Sequence, residues 1–121
     1  MIEKIGQIGV PVRDLERAAN FYKEKLGLPM LFSTKTMAFF KCEGLRIMLS
    51  LPEREEFAHA SSVIYFQVED IQEVYLALKG KGVFFPVEPH LVAKMEQTET
   101  WMAFFKDSEE NTHALMSEVE V

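Results

Sequence analysis

Three histidines, His59, His90 and His113, and one cysteine, Cys42, are the side chains of this 121-residue sequence best suited to acid–base, nucleophilic or metal chemistry. No acid, base or nucleophile is placed by spacing beside any of the histidines. Each therefore reads as a solvated or hydrogen-bonded structural imidazole. Cys42 adjoins Glu43 and has no helix N-terminus nearby to lower its pKa, which describes an inert thiol. A lone cysteine also forms no internal disulfide and no multi-cysteine zinc site. The run Lys79-Gly-Lys-Gly82 marks a helix exit and not a phosphate cradle. What stands out instead is soft and apolar. Seven Met and ten Phe suit a core, and some of them suit the lining of a small-molecule pocket.

Charge narrows the partners. Thirteen Lys+Arg against 19 Asp+Glu leave a net charge of −6, the wrong sign for phosphate backbones and anionic lipid. No apolar run approaches the ~18 residues that span a bilayer. The opening Met1-Ile-Glu-Lys-Ile-Gly6 lacks a basic stretch followed by an apolar one, so a cytoplasmic location is expected. The length suits a single domain, residues 1–121.

The elements that must position these side chains are written twice. Met37-Ala-Phe-Phe-Lys41 recurs as Met102-Ala-Phe-Phe-Lys106, 65 residues on. Ile8, Val10, Val12 and Asp14 correspond to Ile64, Phe66, Val68 and Asp70 at an offset of 56. Each Asp suits a helix N-cap and precedes an apolar stripe at i, i+3, i+4, i+7. The stripes are Leu15, Ala18, Ala19, Tyr22 and Ile71, Val74, Tyr75, Leu78. Gly27 and Gly82 suit the helix exits. Around the helices the period falls to two, predicting strands near 4–12, 29–34, 36–41 and 45–51, then 62–68, 83–88, 99–106 and 112–118. Each half reads strand–helix–strand–strand–strand, an α+β pattern. Module one covers 1–56 and module two 57–121. The polar stretch Glu88–Thr98 reads as a longer loop that accounts for the growing offset.

The segment Ile5-Gly-Gln-Ile-Gly-Val-Pro-Val-Arg-Asp-Leu-Glu-Arg-Ala-Ala-Asn-Phe-Tyr22, followed by Leu26-Gly-Leu28, resembles the opening of vicinal oxygen chelate proteins. That superfamily holds glyoxalase I, extradiol dioxygenases and bleomycin-resistance proteins. Phe105-Lys-Asp-Ser-Glu-Glu-Asn111 is similar to the family's Phe-x-Asp-Pro-Asp-Gly-Asn turn, with Ser108 and Glu110 in place of Pro and Gly. The resemblance implies paired βαβββ modules whose sheets curl into a cup-shaped mixed sheet.

It also implies where a divalent metal is held in the family's enzymes. Those four positions fall on Gln7, Met48, Val63 and Ala114. One neutral amide and one thioether do not make a site for a hard cation or zinc, so no metal and no cofactor are expected. A one-residue slip would bring His113 into play, but it would turn its strand inside out. With family register, alternation sends Gln7, Arg46, Met48, Val63, Tyr65 and Ala114 to the cup, joined by Phe39, Met102 and Phe104. The expected function is binding of a small, anionic and partly apolar molecule, as in the bleomycin-resistance branch. A glyoxalase-type lyase or isomerase using Gln7, Tyr65 or a His90 loop is the alternative, and a dimeric interaction module a third. A homodimer is expected from the family's habit and from uncovered sheet edges.

Overall fold

The computed structural model describes residues 1–53, 55 and 58–121, and the chain divides into two compact units, Met1–Ser61 and Ser62–Val121. The module boundary expected between residues 56 and 57 lies outside the described residues. Each unit is a four-stranded mixed sheet carrying one helix, the α+β, two-module βαβββ pattern.

In the first unit, β1 (Gln7–Pro11) leads into α1 (Leu15–Asn20), and β2 (Met30–Ser33), β3 (Met37–Cys42) and β4 (Leu45–Ser50) follow, in the spatial order β1-β4-β3-β2. Only β1 and β4 run parallel. The Asp14 carboxylate accepts from the Arg17 N–H at 3.1 Å, capping α1. The helix then widens into a π turn over Phe21–Lys25, where the Leu26 N–H reaches the Phe21 carbonyl at 3.1 Å. Gly27, at φ 73°, lets the chain leave. Ala18, Tyr22, Val10, Ala38, Phe40, Ile47 and Leu49 are all but fully buried, with the Tyr22 ring 6.0 Å from that of Phe40, so the predicted stripe and strand alternation make one core. Each large side chain in it stabilises the fold by about 1.5–3 kcal/mol.

The second unit repeats this with β5 (Tyr65–Gln67), α2 (Ile71–Gly80), β6 (Phe84–Met95), β7 (Thr98–Lys106) and β8 (Thr112–Glu120), ordered β5-β8-β7-β6. Asp70 caps α2 through the Glu73 N–H at 3.1 Å, and Gly82 exits at φ 89°. Phe85 stacks edge-on against Tyr75 at 4.8 Å and lies 5.5 Å from Phe105.

Two expectations are corrected here. The stretch Glu88–Thr98 is not a loop: β6 runs on to Met95, and the two residues Glu96 and Gln97 turn the chain into β7. Pro89 and the charged residues suggested a loop, but β6 is an edge strand, where a missing N–H costs nothing. Register shifts along β6 further blur its alternation. Conversely β5 is only three residues long, so Val63 precedes the ladder and is 39% exposed.

Candidate functional site

The side of the first sheet away from α1 is built in rows set by strand register. Gln7, Arg46 and Lys41 form one row. Gly9, Met48, Phe39 and Phe32 form the next, and Pro11, Ser50 and Met37 the third. One end of the face is therefore cationic and its middle aromatic. The Arg46 guanidinium lies 5.3 Å from the centroid of Phe39, whose opposite neighbour Phe32 stacks at 4.4 Å. No ion pair joins Arg46 to Glu43 among the described residues. Gln7 directs its amide N–H at the Met48 sulfur, 3.5 Å away.

The third row opens into a cavity of about 400 Å³, lined by Gly9, Pro11, Met37, Met48, Ser50 and His59 among others. That volume suits a small molecule. His59 places Nδ1 2.8 Å from the Ala60 carbonyl. A carbonyl only accepts, so in the neutral ring Nδ1 carries the proton and Nε2 is left as an acceptor.

The corresponding face of the second sheet has Tyr65, Ala114, Phe104 and Val87 in one row, and Gln67, Met116, Met102 and His90 in the next. Tyr65 meets Phe104 edge-on at 6.3 Å, and His90 lies 6.5 Å from the same ring. His90 thus stands on a strand beside Phe104, not on a covering loop. Its Nδ1 sits 3.0 Å from the Glu88 carbonyl, again leaving Nε2 as the acceptor of the neutral ring.

Most of the residues picked out from the sequence lie on these two faces: Gln7, Phe39, Arg46 and Met48 on the first, Tyr65, Met102, Phe104 and Ala114 on the second. Val63 does not, because it lies outside the strand. Phe39 is on the right face but only 8% exposed, covered by Arg46 and Phe32. The ring open to solvent is Phe32, 50% exposed. A register shift between Met30 and Phe32 brings it there, and nothing local in the sequence announces such a bulge. Lys41 stands beside Arg46 only through the β3–β4 register, which the sequence of either strand alone does not contain.

At the four positions to which the resemblance assigns a metal, the side chains present are a poor fit to a divalent cation. The first unit supplies the Gln7 amide, already turned to sulfur, and the Met48 thioether. The second supplies only the hydrocarbon side chains of Val63 and the buried Ala114. No group of three His, Cys, Asp or Glu suited to a metal occurs among the described residues.

His113 occupies the other side of its sheet. It pairs with Phe105 in register, is fully buried, and lies with Nε2 3.6 Å from Asp107 Oδ2. Asp107 Oδ1 accepts from the N–H groups of Glu109 and Asn111, each at 2.8 Å, and Oδ2 accepts from Asn111 Nδ2 at 3.0 Å. This cluster closes the β7–β8 turn. Glu110, where the family's turn has Gly, adopts φ 65°. Cys42 is held protonated: burial first, then the neighbouring Glu43 carboxylate, push its pKa up.

Comparison with known proteins agrees with this architecture. The family model described as Glyoxalase/Bleomycin resistance protein/Dioxygenase superfamily matches residues 4–115. The uncharacterized protein YraH of Bacillus subtilis (strain 168) is 26% identical over 122 residues, covering 89% of this chain and 93% of its own. A superfamily member from Sphaerobacter thermophilus superposes with a TM-score of 0.80 at 23% identity, covering 96% of this chain and 98% of that one. Lactoylglutathione lyase from Agrobacterium tumefaciens gives 0.77 at 17% identity, covering 96% and 94%. No helix is long and apolar enough to cross a membrane among the described residues.

Proposed function

Because this chain belongs to the glyoxalase/bleomycin resistance protein/dioxygenase superfamily, we propose that it uses the open face of its first sheet to bind a small anionic molecule with an apolar body. The observation that carries this reading is the Arg46–Phe39–Phe32 stack beside the cavity under Met48. A guanidinium beside a ring, paired with no carboxylate among the described residues, has its N–H fork available to two oxygens of a carboxylate or phosphate. Lys41 in the same row strengthens the field. The hydrocarbon part then has Phe32, Met48 and Met37 to cover it. The donors present support binding without metal chemistry, since among Gln7, Met48, Val63 and Ala114 only an amide and a thioether carry heteroatoms.

The test is a thermal-shift screen of aryl and alkyl carboxylates and phosphate esters, with affinities then measured by calorimetry. Arg46→Ala should weaken a binder about 10- to 100-fold, the loss of one charge-assisted hydrogen bond. Phe32→Ala should weaken it independently. Unchanged affinity in a folded Arg46→Ala variant would end the anion-binding reading.

One observation favours a lyase or isomerase instead. The Nε2 acceptor of His90 stands beside Phe104 and Met102 in the second unit, as a general base would. Turnover of any substrate that survives His90→Gln would remove that reading. We also propose a homodimer. β6 is a 12-residue edge strand with Phe84, Leu91 and Met95 exposed, and such an edge calls for a cover.

A further inference from the structure

On the helix side of the second sheet, where α2 begins, a groove of about 870 Å³ runs between the helix and the strands. Trp101, Ser117 and Val119 form its floor, while Ile71 and Val74 contribute the apolar wall. Trp101 and Ser117 are register partners, so the indole and the hydroxyl rise on the same side. That side is opposite to Phe104 and Ala114. The groove therefore shares no residue with the faces considered above.

Three carboxylates line it, those of Glu69, Asp70 and Glu73, and no Lys or Arg does. None of the three is in an ion pair among the described residues. Asp70 spends one oxygen on capping α2. The helix terminus contributes only about half a positive charge, too little to balance three negative ones. Acidic residues in a first turn stabilise a helix in any protein, so they do not by themselves mark a site.

Ser117 and Trp101 add what the helix does not need. Ser117 is 1% exposed, lines the groove, and its hydroxyl makes no hydrogen bond among the described residues. A ligand N–H reaching this hydroxyl from the groove would supply it with a hydrogen-bond partner. Trp101 is partly exposed, and its Nε1–H donates to Glu99 at 3.3 Å. An indole face is the best aromatic surface for a cation.

We propose that this groove binds a primary alkylammonium. Its N–H groups satisfy Ser117 and the carboxylates of Glu69 and Glu73, and its hydrocarbon chain lies along Ile71, Val74, Val119 and the indole. A quaternary ammonium has no N–H to give Ser117, and an anion meets three like charges.

Trp101 is the sole tryptophan of the chain, so intrinsic emission reports on the groove directly. Titration with hexylammonium chloride should change that emission saturably, and 1-hexanol should bind at least about tenfold more weakly. The double variant Glu69→Gln/Glu73→Gln keeps the Asp70 cap and should lose about tenfold in affinity, and Ser117→Ala should lose several-fold. Arg46→Ala should bind hexylammonium as the parent does, which separates this site from the anion-binding face. No saturable change, equal binding of 1-hexanol, or full affinity in the double variant would each overturn the proposal.

Discussion

Replacing Asp107 by alanine removes the carboxylate on which the β7–β8 turn closes. The hydrogen bonds that go with it include those from the N–H groups of Glu109 and Asn111 and from Asn111 Nδ2, together with the 3.6 Å approach of His113. Asp107, Asn111 and His113 are all buried, so water does not readily replace the lost acceptor. A hydrogen bond to a charged group contributes ~1.5–3 kcal/mol, but the three share one turn and will not add. Removing one member of a buried polar cluster typically costs about 3–5 kcal/mol. Partial exposure of Glu109 allows its N–H to rehydrate, which places the expected loss at about 3–4 kcal/mol. At ~2.1 cal/mol/K per residue, a chain of this length unfolds with an entropy near 0.25 kcal/mol/K. The melting temperature followed by circular dichroism should therefore fall by roughly 12–16 °C. Asp107→Asn keeps one acceptor for the two backbone N–H groups and should fall by about half as much. A drop below ~3 °C in Asp107→Ala would refute the structural role of the carboxylate and return His113 to the list of candidate reactive groups.

Glu110→Gly relieves a left-handed backbone at φ 65° and should raise stability by about 0.5–1 kcal/mol, or ~2–4 °C in the same melt. An unchanged or lower melting temperature would contradict strain at that turn. Elemental analysis after dialysis should find well under one zinc, nickel, iron or manganese per chain, given a neutral amide and a thioether as the only heteroatoms at the family's ligand positions. One tightly held ion per chain would contradict it. Light scattering at micromolar concentration should give twice the 13.9 kDa chain mass, and a monomer mass would rule out the dimer.

Duplication, capping and alternation were legible in the sequence because they are local. Asp14 and Asp70 sit just before an i, i+3, i+4, i+7 stripe, and each caps its helix through its own side chain. Period-two alternation put Phe40 and Phe105 in the core and Arg46, Met48 and Phe104 on the other face, as the ladders require. Positions that depend on a neighbouring strand were not legible. Glu88–Thr98 carries Pro89 and charges, and only pairing with β7 turns it into the edge strand that brings His90 beside Phe104. Phe32 reaches Phe39 through a bulge, and a bulge is a mismatch between two strands that neither sequence contains alone. The burial of Phe39 under Arg46, and of His113 beside Asp107, likewise arises across strands or across a turn. Local periodicity decides which face a side chain takes, and tertiary packing decides what already occupies that face and what remains open to a ligand.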